Sequence, residues 1–161
     1  MIAFRKKVDW FLGWMVTILM GVLVINVLWQ VASRFIVGRP SGFTDELAGF
    51  LLIWVGLFGA AYASGQKQHL AIDLLSAKLS AKGRLIQFIL INVLISFFAI
   101  IVLVLGGANL VYITWYLEQI SSALLIPIAW VYLVLPVSGL FILFYAITDI
   151  IMAVKAYPPE A

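Results

Sequence analysis

Apolar residues run through this chain in four long stretches, and the charges between them are few and clustered. Residues 10–33, 47–66, 85–117 and 119–148 contain no Asp, Glu, Lys or Arg. Each is longer than the roughly 18 residues at which an apolar segment becomes a candidate membrane span. The pattern predicts an all-α integral membrane protein: one membrane domain over residues 1–161 with four transmembrane helices, at about 10–36, 45–66, 85–113 and 127–153, joined by loops that carry short interfacial helices. The basic cluster Arg5, Lys6 and Lys7 before the first stretch resembles a secretion signal, but that stretch exceeds the roughly 7–15 residues of a signal's apolar core, so it reads as a retained span.

Polar residues inside the stretches fall in registers with structural meaning. Asn26, Gln30 and Arg34 recur every four residues and share one face of the first helix, a stripe that must meet protein because lipid cannot satisfy its amides. The stripe reads as glue between helices or as the wall of a solute path. After the Gly and Pro punctuation of residues 37–42, Thr44 is an N-cap candidate, and Asp45 and Glu46 complement the dipole of the second helix. Adjacent helices would also bring Arg34 level with Glu46, predicting an ion pair. Residues 67–84 predict a short helix lying in the headgroup region, with leucines on one face and lysines reaching phosphates. The third stretch is about 50 Å long if continuously helical, so it must tilt, bend or project, with Gly106-Gly107 as the bending point. Residues 118–126 predict a short surface helix. Pro127 then opens the fourth span, and Pro136 interrupts its hydrogen bonding.

The second stretch is crowded with small residues. Gly56 and Ala60, and Gly59 and Ala63, sit four apart on shared faces, where small side chains let another helix approach closely in lipid. This face is either packing surface within the four-helix body or the seat of a partner subunit. With Trp54, Asn26 and Gln30 it forms the candidate partner interface.

Composition narrows the functional classes. Of 161 residues, 65% are hydrophobic and 11% charged, far from the globular balance. The net charge of +3 is a topology signal and not a nucleic-acid surface: eight basic residues lie in the two tails and the middle loop against two, Arg34 and Arg39, on the other side. That bias places both termini in the cytoplasm. The chain has no cysteine and a single histidine, His69. Thiolate sites, bis-histidine haem and histidine metal clusters are therefore excluded, and no cofactor is expected on this chain. Of its acids, Asp45, Glu46 and Glu118 fall outside and Asp73 and Asp149 inside, and the centre of each span has no ionisable group, which disfavours a proton-coupled exporter. No nucleophile is paired with a base, so no enzyme is expected.

A series of short motifs carries a family resemblance: Gln30-x-x-x-Arg34-Phe35, Gly38-x-Pro40, Asp45-Glu46-Leu47, Trp54 with Gly59-Ala60-Ala61, His69-Leu70-Ala71-Ile72-Asp73, and Ile126-Pro127-x-x-Trp130 with Tyr132 and Pro136. In this order they resemble the small membrane subunit, DctQ-like, of tripartite ATP-independent periplasmic (TRAP) transporters. Phe43-Thr44-Asp45-Glu46 stands where that family often has Trp-Ser-Glu-Glu, a departure that includes the first acid. The resemblance implies a non-catalytic small permease subunit in the bacterial inner membrane. It would brace a large membrane subunit that holds sodium and substrate, while a periplasmic binding protein delivers an organic acid such as sialic acid or a C4-dicarboxylate. Arg39, Asp45 and Glu118 are the candidates for contact with that binding protein. The competing reading is a stand-alone four-span channel or small exporter with Asn26, Gln30 and Asn92 along its path.

Overall fold

In the computed structural model, residues 2–38, 42–66 and 81–156 are described. Helix α1 (Ile2–Ala32) runs into a π-helical turn, Ser33–Val37, and stops at Gly38, whose φ of 71° only glycine adopts without strain. Helix α2 covers Gly42–Gly65. Helix α3 (Ala81–Phe98) continues through a wide π-helical segment, Ala99–Gly106, into α4 (Gly107–Tyr116). The short α5 (Ile128–Tyr132) leads into α6 (Val134–Ala156). Four helical stretches are long and apolar enough to cross a bilayer: Phe4–Ile36, Gly42–Gly65, Lys82–Tyr116 and Ile128–Lys155. These are the four spans that the apolar pattern predicts.

The spans pack as a row in the order one, two, four, three: α1 lies on α2, α2 on α6, and α6 on α3 and its π-helical continuation. The fourth span is 39% buried over its most apolar window, as expected of an inner member of the row. The second span is also flanked on two sides, yet it is only 11% buried, no more than the edge span α1. Among the described residues, one side of α2 is therefore left open.

Apolar burial does not drive helix association in lipid, so close backbone approach and hydrogen bonds must hold the row together. Glycines supply the approach. A Cβ on Gly139 would stand 2.7 Å from Cβ of Leu103, and one on Gly107 would stand 2.8 Å from Cβ of Leu135. At the α2–α6 contact, a Cβ on Gly65 would lie 2.5 Å from the ring of Tyr145. Leu12, Phe58, Ala61, Val134 and Tyr145 form the core around that ring.

Pro136 has no N–H to give to the carbonyl of Tyr132, and the fourth span breaks one residue later, at Leu133, between α5 and α6. Helical bonding resumes with Val137 N–H donating to the Leu133 carbonyl at 3.3 Å. The connection before α5 differs from the surface helix expected over residues 118–126. It is a compact turn in which Ile120 pairs with Pro127, and Ser121 N–H donates to the Ile126 carbonyl at 2.9 Å. Glu118 (φ 48°) and Leu125 (φ 55°) take left-handed backbone that a helix does not use. The helix expected in the middle loop falls mostly on residues 67–80, outside the described residues.

Candidate partner interface

Three polar fastenings hold the helices together, and bonds within the chain engage Asn26, Gln30, Asp45 and Trp54, four of the residues that sequence reasoning offers to partners. The first joins α1 to the start of α2. Asn26 is buried and its Nδ2 donates to the Thr44 carbonyl at 2.7 Å; Gln30 Nε2 donates to Asp45 Oδ1 at 2.7 Å. These residues act as glue within the chain. They do not line a path with Asn92, whose amide donates to the Phe88 carbonyl one turn back on its own helix, at 2.9 Å.

The second fastening corrects the expected Arg34–Glu46 pair. Glu46 accepts three backbone N–H groups of the 117–127 turn: Ser122 at 3.1 Å on Oε1, and Ala123 at 2.9 Å and Leu124 at 2.8 Å on Oε2. A carboxylate at the first turn of α2 suits a run of backbone donors better than a long arginine on an exposed edge, because the donors are already fixed by the turn. Among the described residues Arg34 is exposed and forms no ion pair. On the same side of α2, Trp54 is half-buried, with its Nε1–H donating to the Val131 carbonyl at 3.0 Å and its ring edge-on to Phe58. It is thereby engaged with α5 inside the chain.

The third fastening lies near the termini. Arg5 forms an ion pair with Asp149, its other terminal nitrogen donates to the Gly65 carbonyl at 2.6 Å, and its guanidinium sits 5.3 Å from the centroid of the Tyr145 ring. The Tyr145 hydroxyl in turn donates to Asp9 Oδ1 at 2.5 Å. One cluster thus ties α1, α2 and α6 together. Sequence reasoning treats Arg5 as a topology charge and Asp149 as an interfacial acid and misses their meeting. The legible signal was the placement of Arg5, Asp9 and Asp149 at the same ends of the first and last spans.

What remains is the small-residue run of α2, which the structure divides in two. Ala61 and Gly65 face inward and are fully used against the α6 core. Gly56, Ala60 and Ala63 are exposed, and Gly59 is half-buried. A Cβ built on Gly56 or Gly59 meets no atom within 4 Å. These four residues form one face of α2 that the described residues leave largely uncovered. Asp45 and Glu118 are exposed at the end of the bundle opposite the termini; Arg39 lies outside the described residues.

A family model described as "Tripartite ATP-independent periplasmic transporters, DctQ component" matches residues 23–156. The sialic acid TRAP transporter small permease protein SiaQ of Vibrio cholerae serotype O1 (strain ATCC 39315 / El Tor Inaba N16961) is 34% identical over 139 residues, covering 85% of this chain and 78% of that protein.

Proposed function

The chain belongs to the DctQ component family of tripartite ATP-independent periplasmic transporters, and we propose that, as its small permease subunit, it is the fixed scaffold on which a large transport subunit seats. As a member of a transporter-component family it is not an enzyme, and its four apolar spans make it a multi-pass protein of the bacterial inner membrane. In this reading the transporter imports an organic acid, such as sialic acid or a C4-dicarboxylate, coupled to sodium. Sodium and substrate bind the large subunit, and both termini of the small subunit lie in the cytoplasm. The likeness to a sialic acid small permease supports that substrate class.

The observation that carries the scaffold reading is the uncovered face of Gly56, Gly59, Ala60 and Ala63 on a helix already flanked on two sides. Close-packing surface that serves no contact among the described residues fits a helix of another subunit. Asn26, Gln30 and Trp54 support that face indirectly, by fixing how α2 sits. Asp45 and Glu118 at the far end, together with Arg39 from the sequence, are the residues offered to the periplasmic binding protein.

The test is co-purification. Gly56→Leu and Gly59→Leu leave the isolated chain monodisperse, because their side chains enter open space, but abolish recovery of the large subunit. Recovery of the complex with both substitutions present would place the interface elsewhere. Solute flux through liposomes holding this chain alone would instead favour the channel reading.

A further inference from the structure

We propose that the groove between α1 and α2 near the chain termini binds a phospholipid with a primary-ammonium headgroup, with Asp9 as the ligand of the ammonium. The groove is open to the surface and holds about 410 Å³, within the roughly 300–1,000 Å³ of ligand clefts. Asp9, Trp10 and Trp14 of α1 and Tyr62 of α2 are among the residues that line it. Gly13 lets the Tyr62 ring pack close to α1, 3.4 Å from where a Cβ would stand.

Its chemistry selects a cation. The Tyr145 hydroxyl holds the Asp9 carboxylate in place at 2.5 Å, and Arg5, one turn before Asp9, is bound to Asp149 and the Gly65 carbonyl. Trp10 and Trp14 are 67% and 55% exposed, so the fold does not use their ring faces. Their centroids lie 6.2 Å apart with a 59° tilt, presenting two faces and not one stack. Aromatic faces attract ammonium groups, and a fixed carboxylate accepts their N–H donors in charge-assisted bonds.

Its polarity is that of an amphiphile. Asp9 immediately precedes the uncharged residues 10–33, so the groove starts at the headgroup level and runs along Trp14 into the apolar zone. Exposed Lys6, one turn before Trp10 on the same face, suits the phosphate of a zwitterion. Ethanolamine fits better than choline, which has no N–H to give Asp9. An anionic headgroup would bring like charge to Asp9.

Native mass spectrometry of the full-length chain, presented with equal amounts of phosphatidylethanolamine, phosphatidylcholine and phosphatidylglycerol, tests the assignment. Wild type should retain the ethanolamine lipid about tenfold over the others, the scale of one hydrogen-bonded charge contact. Asp9→Asn keeps an oxygen for the Tyr145 hydroxyl and should bring the three lipids to parity. Trp10→Leu with Trp14→Leu, both at exposed sites, should cut ethanolamine-lipid retention about fivefold. Equal retention of all three lipids by wild type would overturn the proposal, as would an undiminished preference in Asp9→Asn. If Asp9→Asn does not fold, an undiminished preference in the tryptophan pair overturns it. Retention of phosphoethanolamine without acyl chains as strong as that of the lipid would overturn the assignment to a lipid.

Discussion

Adding one methyl group to either of two glycines should move stability in opposite directions. In Gly139→Ala the new Cβ would lie 2.7 Å from Cβ of Leu103, 3.1 Å from Cγ2 of Val104 and 3.3 Å from the Val104 backbone nitrogen. None of these is the far end of a flexible chain, so relief requires α6 to move off the π-helical segment. Overpacking of this kind costs about 1–3 kcal/mol, against which alanine's better helix propensity returns about 1 kcal/mol. The balance is a net loss of about 0–2 kcal/mol, and the middle of that range lowers the unfolding midpoint of a chain of this size by about 2–4 °C. Gly59→Ala meets nothing within 4 Å and should keep the propensity gain, raising the midpoint by about 2–4 °C. Thermal unfolding of the two variants side by side in one detergent, followed by tryptophan fluorescence, reads both shifts. If Gly139→Ala stabilises as much as Gly59→Ala, the close approach of the third and fourth spans is wrong.

Removing either partner of the Arg5–Asp149 pair, whose side chains are only 11% and 6% exposed, should destabilise the chain by about 3 kcal/mol; Arg5→Ala combined with Asp149→Asn should cost less than the two single changes together, and strict additivity in a thermal double-mutant cycle would remove the coupling. Glu46→Gln should speed hydrogen–deuterium exchange at the amides of Ser122, Ala123 and Leu124 while leaving α6 protected. Unchanged exchange there would mean that Glu46 does not hold the turn.

The helices were legible because four uncharged runs of membrane length admit no other structure in lipid. The small residues of α2 were legible as packing surface, but not the side on which each packs. Ala61 and Gly65 differ from Ala60 and Ala63 only in register, and that register acquires meaning once Tyr145, some 80 positions away, takes its place. Glu46 was read against Arg34 because both are charged and both stand near the same level. Backbone donors in a turn leave no mark in composition, so Ser122–Leu124 could not be seen as its partners. Trp54 showed the same limit: the sequence marks it as a large amphipathic ring but not that its N–H reaches the carbonyl of Val131.

Arg5 and Asp149 are separated by 144 positions. At a synthesis rate of about 5–20 residues per second, the first helix waits on the order of ten seconds or more in the bilayer before its counterpart has been translated. Biogenesis therefore finishes with a late locking event in which the final helix arrives and neutralises a cation left waiting at the membrane surface. Until then the nascent protein is an unclosed intermediate, and quality-control machinery has a clear interval in which to recognise it.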